Sequence, residues 1–197
     1  MTWHDDVAIS PFHLLSGFSG EPSFDQKIEI FAAQTLGWQL NIAERCSEEI
    51  TDSGFAVLAI VFSYFEMIAR FRVGNLGTSN PGKYFRDGAL FVFPEIGEHL
   101  AKKEILDTLY EQVRCVLYHA RLTGRGVTIS NQYPEALGSS ADGMRLDINS
   151  QKLVKALKLH FFDYLRQLRD PANVELRHSF EQRFDQGMQV KMALAGR

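Results

Sequence analysis

The run from Phe55 to Ala69 constrains the fold most. Phe55, Leu58, Phe62, Phe65 and Ala69 recur at helical spacing, and the remaining faces of the same run are also largely apolar. A helix that is apolar all round has to be buried, so this segment, opening near Asp52-Ser53 and stopping at Gly74, is read as the central helix of the molecule. Its most apolar part, Phe55 to Phe65, falls short of the roughly 20 residues that cross a bilayer and leads straight into Glu66 and Arg70. A core helix is expected, with no membrane partner.

The chain has the material to surround such a helix. Its 197 residues are 45% apolar and 12% aromatic, which suits a single domain over 1–197 with an irregular start at 1–22 and a frayed tail at 186–197. A net charge of −3 gives no general attraction to nucleic acid, so any RNA contact must come from a local basic patch. Cys46 and Cys115 are far apart and form no CxxC pair, and Met-Thr-Trp-His-Asp-Asp is not the start of a signal peptide. Reduced thiols in a cytoplasmic protein are expected.

Ser23 and Gln26 form a capping-box pattern ahead of a helix over about 25–46, with Ile28, Phe31, Thr35, Trp38 and Ile42 on its apolar stripe. Asn80-Pro81 opens another helix, which Gly88 and Pro94 are expected to break or kink before residue 99. From Lys102, the residues Ile105, Leu106, Leu109, Val113, Val116, Leu117 and Ala120 trace a further stripe, ending at Gly124. Val127-Thr128-Ile129 and Met144 to Ile148 flank the polar tip Gly138 to Gly143, which predicts a small β-hairpin insertion near 126–148 with a mobile end. Asn149-Ser150 starts a long helix carrying Leu153, Leu157, Phe161, Tyr164, Leu165 and Leu168, ended by Pro171, with a shorter polar helix over 173–185. The expected fold is all-α: an up-and-down bundle of about five helices with that β insertion.

Gly-rich phosphate loops, paired Cys/His patterns, HExxH and GxSxG are absent, so no cofactor or metal is expected. His160, beside an apolar stripe, reads as a core or boundary histidine. The distinctive segment is Tyr110-Glu111-Gln112-Val113-Arg114-Cys115-Val116-Leu117-Tyr118-His119. In an α-helix Arg114 and His119 would leave about 140° apart and roughly 7.5 Å along the axis, so the pair alone does not define a site.

That segment resembles the Arg-x4-6-His motif of HEPN domains, compact helical bundles that include toxin ribonucleases and effector nucleases. The motif lies late in an amphipathic helix, an earlier buried helix carries Glu66 in Phe62-Ser63-Tyr64-Phe65-Glu66, and a further helix follows an insertion. The resemblance spans roughly residues 25–170 in architecture and the dozen residues around the pair in motif. It departs from many active members at Cys115, where they carry a polar residue after the arginine. What it implies is a metal-independent endoribonuclease, working as a homodimer, with Arg114 and His119 as the catalytic pair and Glu66 and Cys115 in supporting positions.

The chemistry suits those residue types. An imidazole can take a proton from a ribose 2′-hydroxyl and return one to the leaving oxygen. A guanidinium can neutralise charge developing on the phosphate oxygens. Arg121, seven positions after Arg114, and Arg125 at the helix exit would extend a basic stripe for the RNA backbone, and Tyr118 could stack on a base.

Each residue also has a structural reading: Arg114 pairing with Glu66, His119 bonding a carbonyl near the helix end, Cys115 as a packed thiol, Tyr118 as ordinary packing. Two other functions follow. One is a catalytically silent HEPN-like module that binds a partner protein or a nucleotide; the other is the toxin of a toxin–antitoxin or defence pair, with an antitoxin partner.

Overall fold

The computed structural model describes residues 7–74, 80–120 and 122–195. They form a predominantly helical fold with a small β insertion. The N-terminal segment pairs β1 (Ala8–Ser10) with β2 (His13–Leu14). α1 (Phe24–Thr35) starts at the expected capping box: Ser23 Oγ accepts from the Gln26 N–H, and Gln26 Oε1 accepts from the Ser23 N–H at 2.8 Å. A π-turn, Leu36–Leu40, joins α1 to α2 (Asn41–Glu49).

That π-turn corrects the first stripe. Ile28, Phe31 and Thr35 are buried as expected, but Trp38 and Ile42 are each 45% exposed, and the buried line continues through Leu40, Ala43 and Ser47. An α-helix turns about 100° per residue, so the extra residue in a widened turn shifts the inward register by one position, from Ile42 to Ala43, and leaves Trp38 outside.

The central run is two helices, α3 (Gly54–Val61) and α4 (Ser63–Val73), with a break at Phe62 and a left-handed Gly74 ending the second. By length and composition Gly54–Val73 could cross a membrane, yet half of its apolar window is buried inside the protein, and Val57, Leu58, Val61, Tyr64, Phe65, Ile68 and Ala69 lie in the core. α5 (Pro81–Val92) begins at Asn80, whose side chain accepts from the Lys83 N–H, and stops before the 3₁₀ turn Pro94–Glu98. Pro94 breaks the helix as expected; Gly88 does not. Gly88 instead allows α5 to meet α4, because a Cβ there would sit 1.8 Å from the Phe65 carbonyl oxygen.

α6 (Lys102–Thr108), a second π-turn (Leu109–Cys115) and α7 (Val116–Ala120) form the next rod. One buried line along it, Ile105, Leu109, Val113 and Leu117, keeps a four-residue spacing, with Leu106 and Thr108 buried beside its start, while Val116 is only half-buried. Three such steps in a pure α-helix drift by about 120°, and one extra residue in a π-turn removes about 100° of that. Gly124 lies past the helix, where its N–H donates to the Gln112 carbonyl within the π-turn at 2.6 Å.

The insertion is a three-stranded sheet in the order β3 (Val127–Ile129), β5 (Leu146–Ile148), β4 (Leu137–Ser139). The segments expected to form a hairpin with each other do pair, but in parallel, Val127 opposite Leu146 and Ile129 opposite Ile148. The antiparallel partner of β5 is β4, across a polar tip in which Ser140 Oγ donates to Asp142 Oδ1 at 2.6 Å and the Ser140 N–H bonds the Arg145 carbonyl at 2.9 Å.

α8 (Ser150–Arg169), capped by Asn149, presents its expected apolar face, and α9 (Val174–Ala195) runs ten residues beyond the expected 185. α9 is tied down by Phe180 and Phe184, which pack with Phe24, Phe31 and Phe71, and by buried Lys27 of α1, whose Nζ bonds Glu181 at 2.8 Å and Asp185 at 2.9 Å.

Candidate functional site

Glu66 sits on α4 and faces two arginines. Its Oε1 accepts from Arg70, one turn on, at 2.9 Å from Nη2 and 3.1 Å from Nε. Its Oε2 lies 3.7 Å from Arg114 Nη2, across the gap to the second π-turn. Arg70 is buried and its guanidinium also stacks on Tyr84 at 4.4 Å, so the Glu66–Arg70 pair is the inner, structural half of the cluster. Arg114 is the outer half, with 27% of its side chain exposed and its Cζ 5.0 Å from the Tyr118 ring centroid.

The π-turn is what presents these groups. It keeps Val113 and Leu117 inward at four-residue spacing, leaving Arg114 and Tyr118 at the adjacent outer positions. Tyr118 is 51% exposed and its hydroxyl donates to the Ala59 carbonyl of α3 at 3.4 Å. His119 is exposed, and none of the described residues hydrogen-bonds its ring. Cys115 is a half-buried free thiol beside the Tyr110 hydroxyl; burial first, then the Cys115 sulfur, pushes that hydroxyl above the ordinary tyrosine range, and Arg114 opposes the shift. The cluster can therefore hold an anion at Arg114 and offer an imidazole to solvent at His119.

Arg125 does not join it. It is exposed and lines a separate groove of about 360 Å³ with Glu104, Asp107 and Glu111, so the expected basic stripe does not continue through it. Arg121 lies outside the described residues. Among the described residues no group of His, Cys, Asp and Glu is arranged to hold a metal ion. His160 is the half-buried boundary histidine that its place on α8 suggested: its Nδ1 is 2.8 Å from the Tyr64 hydroxyl, and burial, then the nearby Arg72 charge, lowers its pKa to about 4.

One residue escaped sequence reasoning. Arg183 of α9 lines a cavity with Trp38 and with Phe71 of α4, and burial, then the charge of Arg70, pushes it below its ordinary pKa while Glu66 opposes. Two guanidiniums thus contact one carboxylate, and a third, Arg183, packs against the same helix at Phe71. Nothing local in the sequence signals this, because Arg183 reaches the site only through the docking of α9 on α4. Compared with models of known protein families, with characterised proteins and with solved structures, the chain matches none of them.

Proposed function

We propose that this protein is a metal-independent endoribonuclease of the HEPN kind, acting as a homodimer in a cytosolic setting. The observation that carries the reading is the asymmetry of the pair: Arg114 is held in place by Glu66 and Tyr118, while His119 on the following turn is exposed and bonded to no described residue. In the reaction, His119 takes the proton of a ribose 2′-hydroxyl, the freed oxygen attacks the adjacent phosphorus, and the bond to the 5′ oxygen breaks. Arg114 stabilises the charge on the non-bridging oxygens, and an imidazolium returns a proton to the leaving 5′ oxygen. A second copy supports this division of labour because it brings a second imidazole. The face beside the motif suits such a contact: α3 exposes Phe55, Ala56 and Ala59, and Leu122, 59% exposed, extends it.

The second reading, a silent interaction module, is favoured by the Glu66–Arg114 contact itself, which makes Arg114 part of a structural network, and by the thiol at Cys115. One assay separates the two. Single-stranded RNA is incubated in EDTA with wild type, R114A and H119A, each confirmed folded by circular dichroism. Cleavage by wild type that is lost in both folded variants supports the ribonuclease; a folded wild type that leaves RNA intact favours the module.

A further inference from the structure

The Glu66 cluster is the middle of a longer strip. At one end Trp38, turned outward by the first π-turn, lines a cavity of about 260 Å³ with Gln34, Phe71, Arg183, Phe184 and Met188. Phe71 places that cavity against α4, on which Arg70 bonds Glu66; Glu66 faces Arg114, and Arg114 lies against the exposed ring of Tyr118. The first π-turn is fixed over the start of α4 by Gln39, whose Nε2 donates to the Ile60 carbonyl at 2.9 Å and to Ser63 Oγ at 2.8 Å. Both π-turns therefore flank one face of α4, each presenting an aromatic ring with an arginine beside it.

The charge along the strip favours a polyanion. Glu66 is one carboxylate shared by two guanidiniums, Arg183 adds a third cation at the cavity, and Glu181 and Asp185 of α9 are paired with Lys27 on α1. Alternating exposed rings and cations is the pattern that binds single-stranded nucleic acid, in which bases stack and phosphates are neutralised in turn. The cavity is large enough for a base, since about 150 Å³ already admits a six-membered aromatic ring.

We propose that this strip is the path of single-stranded RNA, with a base stacked in the Trp38 cavity, phosphates held by Arg183 and Arg114, and a second base on Tyr118. The position of the cut beside His119 rests on the ribonuclease reading; the path does not.

The test measures anisotropy of a fluorescein-labelled 12-nucleotide uridine RNA in EDTA, in an H119A background so that the RNA stays whole. Adding W38A is expected to weaken binding roughly 5- to 150-fold, the worth of one base–aromatic stack. R183Q is expected to weaken it and to reduce the slope of log K against log salt by about 0.7, while R183K keeps the slope. F162A, which removes an exposed ring elsewhere on α8, serves as the control with unchanged affinity. Thermal melts exclude variants that fail to fold. If the H119A protein binds RNA and W38A and R183Q bind as tightly, the path is overturned while the ribonuclease reading survives. If the variants weaken binding but wild type never cleaves, the path stands and the ribonuclease reading falls. No binding by the H119A protein overturns the path.

Discussion

Glu66 has two partners of unequal worth. E66Q leaves Arg70 buried without its carboxylate and is expected to cost about 3 kcal/mol, whereas R114A removes a longer, partly solvated contact worth about 1 kcal/mol or less. Urea denaturation of both variants checks this, and an R114A penalty equal to that of E66Q would favour the silent-module reading. His160 sets a pH dependence. Its folded pKa, about 4, lies below its ordinary 6.5, so the unfolded chain takes up a proton first as pH falls. Stability is therefore fully present above about 6.5 and is lost as pH drops towards 4, by up to about 3 kcal/mol. The groups facing it are Tyr64 and Arg72 from α4 and Asp163 from its own helix. Urea midpoints at pH 7.5, 5.5 and 4.5 should fall more steeply for wild type than for H160Q; equal slopes would assign the loss to other groups.

Helices were legible where local signals act alone. Ser23 with Gln26, Asn80 with Pro81, and Asn149 mark real helix starts because a cap is made within a few residues of sequence. The π-turns are not legible, since α periodicity assumes a constant turn, and that periodicity places Trp38 in the core and Arg114 in α geometry. The direction of β3 was hidden for a similar reason: pairing partners, not local composition, decide whether strands run parallel. Two predictions belong to this scale. Deleting the exposed Glu111 should let the second π-turn relax to α-helix with Val113 and Leu117 still inward, whereas inserting one alanine there should rotate them out by about 100° and abolish the cooperative thermal transition. G88A raises helix propensity yet is expected to destabilise by at least about 3 kcal/mol, because its Cβ would overlap the α4 backbone; an unchanged melting temperature would refute the close crossing.

For the whole molecule, the ribonuclease reading needs two copies. A56R on the exposed face of α3 is expected to give a monomer by light scattering at micromolar concentration and to abolish cleavage while leaving the melting temperature within a few degrees. A cleaving monomer would remove the dimer from the mechanism. The proposed strip is assembled from parts far apart in the chain: Trp38 from the first rod, Glu66 and Arg70 from α4, Arg114 from the second π-turn, Arg183 from α9. The Arg114–His119 segment is legible because it is contiguous and Glu66 through the resemblance, whereas Trp38 and Arg183 join only through tertiary packing. The Lys27 clasp adds a matter of timing. Its carboxylates lie 154 and 158 residues downstream, so a chain emerging from the ribosome carries α1, α4 and the motif helix well before α9 arrives to join them. Until then Lys27 lacks its counterions, the Phe31 and Phe71 rings lack Phe180, and Arg183 is missing from the strip. Docking of α9 is therefore the step that completes both the Lys27 clasp and the aromatic cluster around Phe31, and it can begin only after residue 185 has been made.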